Sequence, residues 1–135
     1  MNDPTLAPSS HVDTFARDRL PPPAQWPVFV FDLPEVRYPA QINCAVELLD
    51  RHVREGRGER IALHGLMTGE GRPQPFSWTY AQLQGQVHRI AQVLTRDMGL
   101  VPGNRLLLRG GNSPMMAACF LAAIQRSEER RVGKD

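Results

Sequence analysis

The sequence predicts an α/β fold that is an incomplete piece of a larger layered domain, in the order helix, β-hairpin, helix, strand, helix. Three observations predict it. Thr79-Tyr80-Ala81-Gln82 has the Thr-x-x-Gln form of a capping box, and behind it Leu83, Val87, Ile90, Leu94 and Met98 recur at helical spacing. Leu106-Leu107-Leu108 is an unbroken apolar run between two arginines, too short for a helix and suited to a strand covered on both faces. Residues 115–124 are almost wholly apolar, the pattern of a helix buried on every side, for which this chain offers too few partners.

Taken in order, residues 1–12 form the first segment, and its Pro, Ser, Asn and Asp offer little to bury, so disorder is expected. Residues 13–125 form the second. A short helix over 12–20, capped by Asp13, is followed by Pro21-Pro22-Pro23, which predicts an extended polyproline-type spacer. Trp26-Pro27-Val28-Phe29-Val30-Phe31 is a dense apolar cluster, read as a clamp across a body, with a partner-binding aromatic patch as the other reading. Asn43 can cap a helix running to about Val53, with Cys44 and Leu48 on one side, Val46, Leu49 and Val53 on another, and Gly56-Arg57-Gly58 at its end.

Residues 61–66 and 75–78 read as two short strands, and the connection is too short for a crossover helix, so a β-hairpin is predicted. In the helix that follows, Gln84, His88, Gln92 and Arg96 occupy much of the face opposite the apolar one. Gly99 stands where a left-handed cap is wanted, and Pro102-Gly103 supplies the centre of a type II turn. After the apolar run, Gly110-Gly111-Asn112 leaves the predicted strand, Ser113 can cap the last helix, and Pro114 takes its first position, where a missing N–H costs nothing.

Composition narrows the function classes. With 135 residues, one domain is the prior; a net charge of +2 and 7% aromatic residues, not arranged for base stacking, argue against nucleic acid. No apolar run approaches the roughly 20 residues of a spanning helix, and the start lacks the basic and apolar regions of a signal peptide, so no membrane association and a cytoplasmic location are expected. Cys44 and Cys119, far apart in sequence, are expected to be buried free thiols. Of the 16 basic residues, those from Arg17 to Arg109 are all arginine, and Lys134, the single lysine, lies in the abruptly charged segment 126–135. Back-translated with permitted codons, residues 126–134 resemble a widely used sequencing adapter, so the natural sequence is expected to stop at Gln125 or Arg126 and the tail to be an artefact.

Chemistry-bearing patterns are sparse. The loop from Gly65 to Gly71 has no Gly-Lys-Ser or Gly-Lys-Thr and is read as a turn, not a Walker-type phosphate cradle. Gly110-Gly111-Asn112-Ser113, placed between strand and helix, can present backbone N–H groups to an anion, although capping and turn formation also explain it. His11, His52, His64 and His88 have no i, i+4 pairing and no cysteine neighbours, and no Gly-x-Ser-x-Gly elbow is present, so neither a metal site nor a nucleophile is expected. Glu47 and Arg51 read as a surface i, i+4 ion pair.

Phe76-Ser77-Trp78-Thr79-Tyr80-Ala81-Gln82-Leu83, then Gly99-Leu100-Val101-Pro102-Gly103-Asn104-Arg105 and Asn112-Ser113-Pro114, resembles in order and spacing the N-terminal part of the AMP-forming acyl-CoA synthetase superfamily. Asn104 stands where that superfamily usually has Asp, at a turn position. Asp13-Thr14-Phe15-Ala16-Arg17, Leu33-Pro34-Glu35, Tyr38-Pro39 and Leu49-Asp50-Arg51-His52 resemble more specifically the benzoate and 2-aminobenzoate CoA ligases. The resemblance implies a two-step reaction of the full-length enzyme with ATP, Mg²⁺ and CoA: a carboxylate, here an aromatic one, forms an acyl-adenylate and then a CoA ester. It also implies that the phosphate-holding loop, the acidic residues and the catalytic lysine follow this segment. No catalytic, cofactor-binding or metal-binding residue therefore carries over, and the segment alone is expected to bind none of these molecules and to be inactive. The other function class is a small stand-alone α/β binding or interaction module without catalysis; oligomeric state has no signature in the sequence.

Overall fold

The computed structural model describes residues 11–28, 30–37, 39, 41–67 and 71–127. The expected disorder of 1–10 and most of the charged tail lie outside the described residues. Three helices and one hairpin make the frame. Helix α1 joins a π-helical stretch, Val46–Asp50, to an α-helical turn, Arg51–Arg54. Strands β1 (Ile61–Met67) and β2 (Gln74–Thr79) follow, then α2, which is α-helical over Tyr80–Gln92 and π-helical over Val93–Asp97, and finally α3 (Pro114–Ser127).

Asn43 starts α1 as its sequence position predicts. Its Oδ1 accepts from the N–H groups of Ala45 and Val46, at 3.0 and 3.1 Å, which satisfies two donors that the first turn leaves free. Gly56, at φ 78°, ends the helix in the left-handed region. Arg51 pairs with Glu47 and with Glu55, so the predicted surface pair is present and extended by one carboxylate. These charges hold the Glu55 carboxyl below its usual range, through hydrogen bonds from Arg51 first and Arg57 second.

β1 and β2 pair antiparallel with His64 opposite Ser77 and Gly65 opposite Phe76, which is the predicted hairpin. Gly65 is needed there. A Cβ at this position would lie 2.3 Å from Phe76 Cζ, so the ring packs directly over backbone, and Phe76 in turn meets Trp78 edge-on at 6.5 Å. The Thr79 capping box forms in full: Thr79 Oγ1 accepts from Gln82 N–H at 3.2 Å, and Gln82 Oε1 accepts from Thr79 N–H at 2.9 Å.

The core is small and lies between α1, α2 and α3. Leu49, Leu83, Val87, Ala91, Leu94, Ala118 and Ala122 are buried together, with Trp78, Leu100, Leu106 and Leu121 packed against them. The predicted apolar face of α2 is therefore the buried one as far as Leu94. Met98 departs from it and is 60% exposed, because the π-helical stretch inserts residues that a 3.6-residue period does not count and turns the face away. Gly99 then adopts φ 66°, Leu100 N–H donates back to the Leu94 carbonyl at 2.9 Å, and the Val101 carbonyl accepts from Asn104 N–H at 3.1 Å around Gly103 at φ 96°. The sequence-predicted cap and turn are both present.

Four expectations are corrected. Residues 106–108 form no strand, because no neighbouring strand stands beside them among the described residues; Leu106 packs on the core while Leu107 is 89% exposed. The helix expected over 12–20 shrinks to a 3₁₀ turn, Arg17–Arg19, since Asp13 Oδ1 accepts from Phe15 N–H in a local turn instead of capping a helix. Pro22 keeps polyproline angles, but Pro23 opens a 3₁₀ turn, Pro23–Gln25, and Val28, Val30 and Phe31 of the expected clamp are exposed. The cysteines are free, as expected, but Cys44 is exposed and Cys119 half-buried, so they are not the buried pair.

Candidate functional site

A shallow, open depression of about 290 Å³ lies where the chain passes from 107–111 into α3. Leu107, Leu108, Arg109, Gly110, Met116 and Cys119 line it. The sequence singled out this loop, and local chemistry explains its shape. Ser113 caps α3, its Oγ accepting from Met116 N–H at 3.2 Å and its carbonyl from Met116 and Ala117 N–H at 3.0 and 3.3 Å. Pro114 takes the first helical position. Gly110 lies so close to Met116 that a Cβ there would stand 2.9 Å from its Cε, so the loop lies down on the helix it starts. Ser113 thus spends its hydroxyl on the cap, and among the described residues Arg109 is the one cation lining the depression.

The histidines are dispersed over the structure. His52 Nδ1 accepts from Arg57 Nε at 3.0 Å, and the ring stacks on Tyr80 at 4.3 Å between centroids. His64 Nδ1 and Ser77 Oγ are 2.8 Å apart across the exposed face of the hairpin. Among the described residues no carboxylate joins that pair, so it lacks the orienting third group of a nucleophile-activating triad. No group of three or more His, Cys, Asp or Glu side chains with metal-binding geometry occurs among the described residues, and none of their helices is long and apolar enough to cross a membrane.

The polar centre that sequence reasoning missed is Asp50. Its Oδ1 accepts from Gln84 Nε2 and its Oδ2 from Gln125 Nε2, both at 2.8 Å, and His88 Nε2 lies 3.6 Å from Oδ1. Beside it Asn43 Nδ2 donates to the carbonyls of Ile124 and Gln125, at 3.2 and 3.1 Å. One carboxylate and one amide on α1 therefore fasten α2 and the C-terminal end of α3. Gln84 and His88, expected on the face away from the core, instead face α1. These contacts span 34 to 82 residues of sequence and leave no periodic trace.

The frame built by these contacts, from Leu49 in α1 through the hairpin and α2 to Ser127 at the end of α3, coincides with residues 49–127, which match the model of the AMP-binding enzyme family. The chain belongs to the AMP-binding enzyme family. Three acetyl-coenzyme A synthetases are similar to this family member. That of Mycolicibacterium smegmatis is 43% identical over 86 residues, which cover 62% of this chain and 8% of the relative. That of Streptomyces avermitilis is 37% identical over 86 residues, 63% of this chain and 12% of the relative. The Mycobacterium tuberculosis protein (strain ATCC 25618 / H37Rv) is 39% identical over 68 residues, 50% of this chain and 10% of the relative. The chain thus spans about a tenth of the length of these curated relatives. None of the three is named for an aromatic acid, so they lend no support to the benzoate and 2-aminobenzoate subgroup. No solved structure gives a significant match.

Proposed function

We propose that this chain is the N-terminal part of the large domain of an AMP-forming acid-CoA ligase, with acetate as the first candidate substrate. The observation that carries the reading is the family match over 49–127, in which the capping box of α2, the 101–104 turn and the Ser113 cap fall in the expected order. The names of the relatives supply the acetate. In the whole protein a carboxylate oxygen attacks the α-phosphorus of ATP, pyrophosphate leaves, and the CoA thiolate then attacks the acyl carbon of the adenylate and displaces AMP. The cytoplasm is the proposed location.

The residues described here serve that reaction as scaffold. No group of three or more His, Cys, Asp or Glu side chains gathers among them, and no step through Mg²⁺ is assigned to this segment. An aromatic acid is the second reading, carried by the likeness of Asp13-Thr14-Phe15-Ala16-Arg17 and Leu33-Pro34-Glu35 to benzoate and 2-aminobenzoate CoA ligases. The test is to follow the reading frame in the source DNA past Gln125, express the whole product, and measure carboxylate-dependent ATP–pyrophosphate exchange. Exchange with acetate supports the first reading and exchange confined to benzoate or 2-aminobenzoate the second. Exchange with none, or a frame that stops after α3, would return the chain to a stand-alone binding module. The 135-residue chain itself is expected to give no exchange.

A further inference from the structure

The N-terminal segment 12–19 reaches back to the turn that follows α2, although Asp13 and Asn104 stand 91 residues apart in sequence. The N–H groups of Val12 and Asp13 both donate to the Pro102 carbonyl, at 2.9 and 3.0 Å. Asn104 bonds in two directions. Its Oδ1 accepts from Val101 N–H at 3.0 Å, which closes the turn, and its Nδ2 donates to Asp13 Oδ2 at 3.0 Å. The Phe15 ring carries two guanidinium groups, those of Arg19 and Arg105, each 3.6 Å from its centroid. Contact is closest at Gly103, where a Cβ would stand 2.0 Å from the Asp13 carbonyl oxygen, so backbone meets backbone with no room for a side chain.

We propose that residues 12–19 form a releasable strap fastened over the 101–105 turn, with the Asp13–Asn104 pair as its buckle, so that Asp at position 104 would keep the turn and undo the strap. An Asp there still offers an oxygen to Val101 N–H. It also sets a second carboxylate in place of the donor that faced Asp13, where like charges repel, and Arg105, whose Nη2 lies 4.0 Å from Asp13 Oδ2, offsets only part of that repulsion from its exposed position. The rest of the strap cannot offset this strongly: its hydrogen bonds and cation–π contacts are individually modest, and Phe15 is 41% exposed. Elements held this way open locally while the core stays closed. Fastened, the strap engages Arg105 and gives the segment 105–109, which leads towards α3, a fixed start. The Asp13–Arg17 run, which supplied the aromatic-ligase likeness, thereby acquires a conformational task of its own, whatever the substrate.

Hydrogen exchange read by mass spectrometry on the full chain tests this, comparing peptides over 11–20 with peptides over 80–92 in α2. Asn104→Asp is expected to speed exchange at the Val12 and Asp13 amides on the order of tenfold while α2 is unchanged. Adding Asp13→Asn to it, which restores a donor facing an acceptor in the opposite sense, is expected to slow exchange again. Unchanged exchange in Asn104→Asp, or a double variant as fast as the single one, overturns the buckle. If Asn104→Asp loosens α2 as well, Phe15→Ala decides, since that side chain lies outside the core: faster exchange at 12 and 13 with α2 intact upholds the strap, and unchanged exchange refutes it.

Discussion

Replacing Asp50 by Ala is expected to cost about 2–4 kcal/mol of stability, more than any exposed carboxylate should. Two bonds set the figure. Gln84 Nε2 and Gln125 Nε2 each donate to this carboxylate at 2.8 Å, and a hydrogen bond to a charged group contributes about 1.5–3 kcal/mol. Asp50 keeps 19% of its side-chain surface in water, which lets solvent take over part of what is lost, so the sum belongs below its upper limit. Asn43 also holds the last carbonyls of α3, so the helix should loosen and not detach. Asp50→Asn is the sharper probe. It retains one acceptor and turns a donor towards the other glutamine; if that is Gln125, rotating its amide lets the Oε1 that now has no partner accept the bond, and about 1–2 kcal/mol should be lost. Urea denaturation followed by far-ultraviolet circular dichroism measures both, and a cycle with Gln125→Ala should return a coupling of about 1 kcal/mol or more. An Asp50→Ala variant within about 0.5 kcal/mol of the parent would refute the claim that this carboxylate ties the helices together.

Three further outcomes are expected. Thr79→Ala removes one half of the capping box and should cost about 1 kcal/mol, read from the same denaturation curves, with fraying at the start of α2 visible in exchange. The strap should respond to acid in one direction. The Asp13 carboxyl is held below its usual range, first by the Phe15 N–H, then by the Asn104 amide and the Arg105 charge, so its contribution is complete at neutral pH and is lost as pH falls through and below about 4. Arg17, Asp18 and Arg19 share that segment; a strap that loosened on raising pH from 5 to 8 would contradict the sign. Finally, Leu107, Met115 and Phe120 are 89%, 47% and 57% exposed on the side of the structure that carries α3, so the 135-residue chain should bind a hydrophobic dye or run as a large species in size exclusion. A sharp monomer peak without dye binding would count against it.

What the sequence made legible was local. The α2 helix announces itself because Thr79, Gln82 and the Leu83–Val87–Leu94 face all act within a few residues of one another, and Gly99 with Pro102-Gly103 does so because positive φ restricts residue choice. Residues 106–108 form no strand for a physical reason: three apolar side chains describe a buried stretch, but a strand also needs a neighbour to exchange hydrogen bonds with, and the described residues supply none. Met98 was misplaced because a π-helical stretch breaks the period silently. The ties made by Asn43, Asp50 and Asn104 were illegible because each joins single polar residues across long stretches of chain, where no repeat betrays them. Of the candidate loop, Ser113 and Pro114 could be read as cap and first turn, whereas the depression beside them depends on Met116 lying under Gly110, which only the folded backbone decides.

Ala118 and Ala122 stand one helical turn apart on α3, both fully out of solvent, in the same cluster as Val87 and Ala91 of α2. Methyl groups at a helix contact act as spacers of minimum thickness, so the axes of α2 and α3 are expected towards the short end of the roughly 8–10 Å that packed helices adopt. That spacing governs more than the core. The Ser113 cap bonds within α3 itself, whereas Asn43 and Asp50 grip the far end from another element, so a bulkier residue at 118 would act like a shim beneath a beam clamped at one end, tilting the helix about that grip and raising its front. The depression at 107–119 would then change depth with the thickness of a side chain that does not line it.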